Sequence, residues 1–521
     1  MRFSNKMEYK IKRLDMYTGY PLIAVLNKKD ADLMDLYSLD RVRIKKGRKQ
    51  INATLDTTNS DKFVKQGEVG MFSEGFQELG VKKGSKVHIY LEKKPKSVEL
   101  IKKKLKGARL NYDEIHTIIN DISRGLLNEI EITYFVAGSY INKLSFNETV
   151  ALTKAMINTG EVIKFNKKIV VDKHCIGGVA GNRTTPIVVA ILAAAGLTIP
   201  KTSSRSITSA AGTADTVEVF CKVDFPIKKL KQIVNKTNGC LAWGGALNLA
   251  PSDDRIIRVE HPLSMDPTGQ LIASILSKKR SVSATHVLID IPVGRGAKIE
   301  KMKDAIRLKK KFIEVSRKIG LKIKVFITQG SQPIGNGIGP MLEAREILYI
   351  LKNSSYDNYH LMLKRKCLHI AGDILELTKK VKKCEGYHYA KGILESGAAY
   401  EKFKEIIKEQ NGKLPNPDKM KLARYNVSFK ANKSGRIAHI DNNMMNKIAR
   451  IAGAPNDKEA GVYLYKHKKD IVKKGDKIFT LYSDNKKRLE YAKKEFSWEE
   501  GIEIKKNHHN HKAKMKIKKK K

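Results

Sequence analysis

Hydrophobic and polar residues alternate along the first 93 residues of the chain. Apolar side chains occupy every second position at residues 9–12 and 42–44, and residues 87–91 follow the turn-forming Lys83, Gly84 and Ser85. Alternation of this kind is typical of β-strands with one buried face. The pattern predicts a β-rich accessory domain over residues 1–93.

The hydrophobic spacing becomes helical over residues 94–165. Isoleucines three or four positions apart fall on one helical face at Ile115, Ile118, Ile119 and Ile122. Ser145, followed three residues later by Glu148, forms a capping box ahead of an apolar run. These features predict a helical domain over residues 94–165, with a later helical segment near residues 256–282.

Strand-like and helix-like segments then alternate over residues 166–424. Apolar runs at residues 169–171, 286–291 and 322–327 are each followed by a glycine-containing loop and a helical stretch. Repeated βα units predict a large α/β domain with a mostly parallel sheet, whose ligands bind at the carboxyl ends of the strands.

Short strands and turns return over residues 425–497 and predict a C-terminal α+β domain. The remaining residues, 498–521, end in histidines and a lysine run, and we expect this basic tail to be disordered. The predicted fold class is therefore a multidomain α/β and α+β protein.

The loop after residues 169–171 is suited to an anion. Glycines let its backbone approach a ligand closely, and it also contains basic and hydroxyl side chains. We expect Thr184 or Thr185 to cap the following helix and Pro186 to occupy its first position, so that the helix N-terminus points at the anion. The residues concerned are Lys173, Gly177, Gly178, Gly181, Arg183, Thr184 and Thr185.

This first loop is not a nucleotide-triphosphatase P-loop. Three residues, not four, separate Gly177 from Gly181, and Asn182 stands where that motif requires lysine.

A second loop, over residues 203–215, carries six hydroxyl side chains and Arg205. Hydroxyls and a guanidinium fork are donors for phosphate and ribose oxygens. Either loop, taken alone, could be an ordinary solvent-exposed Ser/Thr loop. Two such loops on successive βα units favour an anion site.

Charge and cysteine content limit the alternatives. The formal net charge is +47, which permits nucleic-acid binding, but lysines are spread along the chain and only residues 512–521 form a concentrated run. We therefore treat nucleic acid as an unlikely partner and expect steering of anionic substrates. The longest apolar run falls short of the roughly 20 residues that span a membrane. Five scattered cysteines with no C-x-x-C pair indicate a cytoplasmic protein without a disulfide framework or structural zinc.

The residues 173–179 (KHCIGGV) and 212–215 (GTAD) resemble the thymidine/pyrimidine-nucleoside phosphorylase family, and the resemblance covers nearly the whole chain. Residues 181–185 and 204–209 look like the archaeal branch of that family, which acts on nucleoside monophosphates. The resemblance implies phosphorolysis of AMP, with CMP and UMP as further candidates. It also implies inorganic phosphate as co-substrate, no metal or other cofactor, and a homo-oligomer that is a dimer or larger.

The resemblance also implies roles for individual residues. Asp266 falls where the family has a proton donor, although Asp before Pro-Thr-Gly also makes a turn or helix cap. Cys175 replaces the serine that the nucleoside enzymes carry. The implied phosphate contacts are Lys173, Cys175, Thr184, Ser203 and Thr213. The implied nucleotide contacts are Gly178, Ser204, Arg205, Ser206, Ile207, Thr208, Ser209, Thr213, Ser274 and Lys298.

Three alternatives stay open on sequence. A pyrimidine-nucleoside phosphorylase needs one anion site, for the attacking phosphate. An enzyme that acts on a nucleotide needs a second anion site, for the phosphate of the nucleotide itself. The surplus of anion-binding loops, with Lys298 after Gly294 and Gly296, favours the nucleotide. A phosphoribosyltransferase would need a paired acidic motif for magnesium, and none stands out. A basic nucleic-acid-binding protein is the alternative of another class.

Overall fold

The computed structural model describes residues 7–18, 22–207, 209–247, 249–263, 265–354 and 358–506. The chain divides into two compact units. The first unit comprises Met1–Gly160 and Ala250–Ser277, and the second comprises Glu161–Leu249 and Lys278–Lys521. None of the helices described is long and apolar enough to cross a membrane.

The elements of the N-terminal and helical regions follow the two predicted hydrophobic periods. They are β1 (Met7–Leu14), β2 (Ile23–Asn27), α1 (Lys28–Leu33), β3 (Arg41–Lys46), β4 (Lys49–Thr58), β5 (Glu68–Phe72), α2 (Ser73–Leu79), β6 (Lys86–Leu91), α3 (Ser97–Leu105), α4 (Tyr112–Ser123), α5 (Glu129–Ile141) and α6 (Phe146–Asn158).

The α/β region follows. Its elements are β7 (Val171–Cys175), α7 (Thr184–Ala194), β8 (Ile199–Ser203), α8 (Thr213–Val217), α9 (Ile227–Thr237), β9 (Gly239–Trp243), α10 (Pro251–Glu260), α11 (Thr268–Ser281), β10 (His286–Val293), α12 (Met302–Lys318), β11 (Lys322–Gln329), β12 (Gly337–Ile338), α13 (Pro340–Leu351), α14 (Asn358–Leu377), α15 (Gly386–Glu395) and α16 (Ala398–Glu409).

The C-terminal region completes the chain with β13 (Tyr425–Lys430), β14 (Gly435–Ile440), α17 (Asn442–Ala452), β15 (Gly461–Leu464), β16 (Ile471–Val472), β17 (Lys477–Ser483), α18 (Lys486–Glu495), α19 (Trp498–Gly501) and β18 (Ile502–Lys505).

The first six strands form a closed barrel in the order β1-β5-β2-β4-β3-β6. Closure leaves no unpaired sheet edge. The alternation that predicts these strands places Val42, Ile44, Val87 and Ile89 fully inside. In the helical region the isoleucine face of α4 is buried as predicted, and Ser145 and Glu148 form the expected capping box of α6. Helices α10 and most of α11 fall in the same unit.

The α/β region contains a parallel sheet in the order β11-β10-β7 and a parallel pair, β8-β9. Helix α7 is buried along ten of its eleven residues, so its apolar sequence reflects a position in the core. The predicted capping of this helix is wrong. Arg183 is the N-cap, neither Thr184 nor Thr185 caps, and Pro186 is the third helical residue. The two threonine hydroxyls instead accept hydrogen bonds from Lys173.

The C-terminal region is α+β, with antiparallel sheets in the orders β12-β15-β17-β13 and β16-β14-β18. The expectation of a disordered tail from residue 498 is wrong for residues 498–505. They form α19 and β18, and β18 pairs antiparallel with β14 because Ile502 and Ile504 alternate into the core. The rest of the predicted tail, from residue 507, lies outside the described residues.

A buried ion pair fixes the helical region. Glu148 of α6 accepts hydrogen bonds from Lys104 Nζ on α3 (2.7 Å), from Leu110 N (3.1 Å) and from Ser145 N (2.8 Å). Both charged side chains of the pair are at most 1% exposed. Burial alone would raise the pKa of the Glu148 carboxyl, but Lys104 and the N–H donors outweigh it and lower that pKa from 4.5 to about 2.

Glu148→Gln is expected to lower the free energy of unfolding of this region by about 3–5 kcal/mol, because it leaves the Lys104 charge buried and unpaired. Since the folded pKa of Glu148 is depressed, its stabilisation is complete above pH 4.5 and is lost as the pH falls towards 2. The measurement is urea unfolding at pH 7 and at stepped acidic pH. Glu99→Gln is the control, because Glu99 pairs with Lys102 while both are more than half exposed, and it should leave the free energy of unfolding close to that of the unaltered protein. Equal losses in the two variants would contradict the role of the buried pair.

Candidate active site

Lys173 lies within β7 and is 2% exposed. Its Nζ donates to Thr184 Oγ1 at 2.6 Å and to Thr185 Oγ1 at 3.0 Å, both in the first turn of α7. Burial lowers the pKa of the Lys173 ammonium. The structure therefore joins a lysine, two hydroxyls and a helix N-terminus at the carboxyl end of a parallel strand, as an anion site requires.

Lys173 belongs to a cluster of buried charges. Asp172 lies 2.8 Å from Lys279 Nζ and 3.5 Å from Lys201 Nζ. Asp290, on the neighbouring strand β10, lies 2.8 Å from Lys366 Nζ. Because successive strand residues point to opposite faces of a sheet, Asp172 with Lys201 and Lys279 lies on one face of β7, and Lys173 with Asp290 and Lys366 lies on the other. We call these six residues together the lysine cluster.

The lysine cluster holds four basic groups and two acidic groups, all within the second unit. Burial would raise the pKa of both aspartates, but the adjacent ammonium groups lower it, so both carboxylates are ionised. Burial lowers the pKa of Lys201 to about 7. Even with Lys201 only partly protonated near pH 7, the basic groups outnumber the two carboxylates, and a bound anion would reduce the imbalance.

The first loop has the glycine geometry that the sequence indicates. Gly177 and Gly178 have φ angles of 95° and 84°, a region that favours glycine. A Cβ at Gly178 would overlap the backbone nitrogen of Lys298, so this position also allows a close approach of two loops. The structure thus brings together Gly178 and Lys298, which the sequence analysis assigns to nucleotide binding.

Cys175 ends β7, where Asn182 Nδ2 lies 2.9 Å from its Sγ. Burial raises the pKa of the Cys175 thiol to about 11, so the group is a neutral thiol at pH 7. It can donate only a weak hydrogen bond to an anion.

Arg183 does not face the anion site, contrary to the expectation for the first loop. It is buried, pairs with Glu346, and donates to the carbonyl oxygens of Gly181 (2.6 Å) and Ile334 (2.8 Å). These contacts stabilise the first loop. They occupy the guanidinium that the sequence analysis expected to bind an anion.

The second loop is organised around Asp215. Its carboxylate accepts hydrogen bonds from Ser206 N (2.7 Å) and Gly212 N (2.9 Å) and pairs with Arg205 (3.1 Å). Arg205 also pairs with Glu218 at 2.6 Å. The guanidinium fork predicted for a ligand is therefore engaged by two carboxylates of the protein.

The other predicted residues of this loop differ in whether the loop itself engages their side chains. Ser203 ends β8, and its buried Oγ has no hydrogen-bond partner. Ile207 is 45% exposed, and Thr213 is the first residue of α8. The side chain of Ser209 donates to Ala211 O. Thr208 lies outside the described residues.

Asp266 and Ser274 lie in the first unit. Asp266 precedes α11 by two residues and is partly exposed. Ser274 lies within α11, where its carbonyl accepts a hydrogen bond from Ser277 Oγ at 3.2 Å.

The sequence analysis missed most of the lysine cluster. One signal was present, because Asp290 interrupts the otherwise apolar strand β10. Lys279 and Lys366 lie in helices among other basic residues, and nothing in their spacing distinguishes them. Within the described ranges, no three His, Cys, Asp or Glu side chains are placed to hold a metal ion.

Three family models match successive parts of the chain. They describe the helical bundle domain of a glycosyl transferase family (residues 98–160), the a/b domain of that family (residues 167–400) and the pyrimidine nucleoside phosphorylase C-terminal domain (residues 436–504).

Among solved structures, anthranilate phosphoribosyltransferase from Thermus thermophilus aligns with a TM-score of 0.52 at 15% identity, covering 60% of this chain and 99% of that one. A likeness at that identity shows a shared fold.

Curated relatives match over almost the full length. AMP phosphorylase 1 of Archaeoglobus fulgidus is 44% identical over 93% of this chain and 95% of its own, and the AMP phosphorylase of Thermococcus kodakarensis is 44% identical over the same shares. The AMP phosphorylase of Pyrococcus furiosus is 43% identical over 93% of this chain and 95% of its own. On this similarity, and on the matched domains, the chain belongs to the AMP phosphorylases of the thymidine/pyrimidine-nucleoside phosphorylase family.

Proposed function

We propose that this protein cleaves AMP with inorganic phosphate, giving adenine and ribose 1,5-bisphosphate. The observation that carries the proposal is the lysine cluster beneath the first glycine loop. Its excess of buried positive charge, with the two threonine hydroxyls that Lys173 contacts, supports an orthophosphate site. Membership in the AMP phosphorylases supports the choice of nucleotide.

The reaction breaks the bond between C1′ and the base nitrogen, and the bond electrons leave with the base. A phosphate oxygen then forms the new bond to C1′. Because positive charge grows on the ribose ring and negative charge on the leaving base, the protein must position phosphate and supply a proton. Lys173, Thr184 and Ser203 are the groups we propose to hold the attacking phosphate, and Thr213 and the Cys175 thiol add donors at its edge.

A nucleoside monophosphate requires a second anion site for its 5′-phosphate. Three segments of the same unit offer backbone groups to an anion. They are the first loop, the second loop and the segment around Lys298. This surplus supports a nucleotide over a nucleoside. CMP and UMP carry the same 5′-phosphate, and we propose them as further substrates.

We propose that Asp266 delivers the proton to a ring nitrogen of the departing adenine. The role requires Asp266 to be protonated when the substrate is bound. The scheme uses phosphate as co-substrate and needs no metal or other cofactor.

We further propose a homo-oligomer, a dimer or larger, in the reducing cytoplasm. Helix α5 exposes Ile130, Tyr134 and Ile141, which share one helical face, and an apolar face of this kind is typical of a subunit contact. The five cysteines are all free, which supports a reducing compartment.

The purified protein is expected to release adenine from AMP only when phosphate is present, in equal amount to ribose 1,5-bisphosphate. Chromatography of bases and sugar phosphates measures both products, with CMP, UMP, uridine and thymidine tested alongside. Release of thymine from thymidine without release of adenine from AMP would assign the protein to nucleoside cleavage instead.

Lys173→Met is expected to raise the KM for phosphate by about 10–100-fold, because a charge-assisted hydrogen bond contributes about 1.5–3 kcal/mol. Initial rates at varied phosphate and fixed AMP give the value. Lys228→Met, at an exposed position of α9, is the matched control and should leave the KM unchanged. An unchanged phosphate KM in the Lys173 variant would remove Lys173 from the phosphate site.

Asp266→Asn is expected to abolish turnover while AMP binding is largely kept, since the amide cannot donate a proton but has the same shape. Calorimetric titration with AMP and single-turnover adenine release separate the two effects. Full activity in this variant would exclude Asp266 as the acid.

A further inference from the structure

One helix of the C-terminal region contacts the loops of the candidate site. Helix α17 begins after Asp441 and presents Asn442, Asn446 and Arg450 at intervals of four residues. Residues four apart fall on one helical face and are about 6 Å apart along the axis. Each of these side chains bonds to the backbone of a loop in the α/β region, within the same compact unit.

The first loop is held by Asn442, which is fully buried. Its Oδ1 accepts a hydrogen bond from Ala180 N at 3.0 Å, and its Nδ2 donates to Gly330 O at 2.9 Å. The amide thus bridges the glycine loop after β7 and the loop after β11. No other residue type of this size offers a donor and an acceptor in that arrangement.

The second loop is held by Asn446 and Arg450, which lie one and two helical turns further along α17. Asn446 Oδ1 accepts a hydrogen bond from Ala210 N at 3.0 Å. Arg450 Nη1 donates to Ile207 O at 2.7 Å and approaches Ser206 Oγ at 3.2 Å and Ser209 O at 3.3 Å. Helix α17 therefore holds the second loop at several points between Ser206 and Ala210, within and just after the segment that carries the proposed nucleotide contacts.

The loop residues that α17 holds by hydrogen bonds are also packed in the hydrophobic core. Ala180 and Ala210, the two residues whose N–H groups donate hydrogen bonds to the asparagines, are fully buried in the same hydrophobic cluster as Met445 and Ala449 of α17. A third loop meets the start of the helix, since a Cβ at Gly296 would lie only 2.8 Å from Asp441 Oδ2. The helix thus contacts three substrate loops in sequence along its length.

We infer that α17 sets the spacing of the substrate loops, with Asn442, Asn446 and Arg450 acting as positioning residues for the nucleotide. Among the residues that the structure describes, their hydrogen bonds go to loop backbone, apart from the Arg450 contact with Ser206 Oγ, so their effect on AMP is exerted through the loops. The inference rests on the proposed function for the identity of the ligand. It makes the C-terminal region part of the substrate-binding machinery.

The test compares Asn446→Ala and Arg450→Ala with two controls on the same helix. Asn443→Ala removes an exposed amide from the preceding turn, and Lys447→Ala removes an exposed ion pair with Glu495. We expect the first two variants to raise the KM for AMP about tenfold or more, while the KM for phosphate and the melting temperature stay close to those of the controls. Arg450→Lys should recover part of the loss, because one ammonium can still reach a loop carbonyl.

Calorimetric titration of AMP into the same variants provides a readout that does not depend on turnover. If the unaltered protein binds AMP but releases no adenine, the proposed function fails, while the calorimetric affinities still test the positioning role. An AMP affinity equal to that of the controls would overturn the inference. So would equal rises in both KM values that follow a fall in melting temperature, since that result describes general destabilisation.

Discussion

The candidate site depends on the burial of four basic side chains with only two acidic ones. Asp172 and Asp290 lie on neighbouring parallel strands; Asp172 pairs with Lys201 and Lys279, and Asp290 pairs with Lys366 on the face that carries Lys173. Removing so many ammonium groups from water is unfavourable unless counter-charges and hydrogen bonds offset it. The two carboxylates do so only in part, and the cluster keeps an excess of buried positive charge beside the first glycine loop.

The two loops next to this cluster are held in place by side chains whose hydrogen-bonding groups are already occupied by other groups of the protein. Arg183 braces the first loop with Glu346, and Asp215 with Arg205 braces the second. Helix α17 then links both loops from the C-terminal region. Loops that are already held in place lose less conformational freedom when a ligand binds, which lowers the cost of binding at the proposed site.

The sequence predicted the order of domains and the positions of both loops, because periodicity and glycine content are local properties. It failed where long-range contacts decide the outcome. The sequence predicts Thr184 and Thr185 as helix caps, but in the structure both accept hydrogen bonds from Lys173. It predicts Arg205 as an anion ligand, but in the structure Arg205 pairs with Glu218. Residues 498–505 look like the start of a tail because their pairing partner β14 lies more than 60 residues earlier.

The weakly basic Lys201 has a consequence for ligand uptake. Burial lowers the pKa of this amine to about 7, so its neutral form is accessible near neutral pH. An incoming oxyanion favours the ammonium form, so association draws protons from the surrounding medium. For the proposed orthophosphate site, this coupling would weaken uptake in alkaline solution and would make the heat of binding depend on the ionisation enthalpy of the buffer.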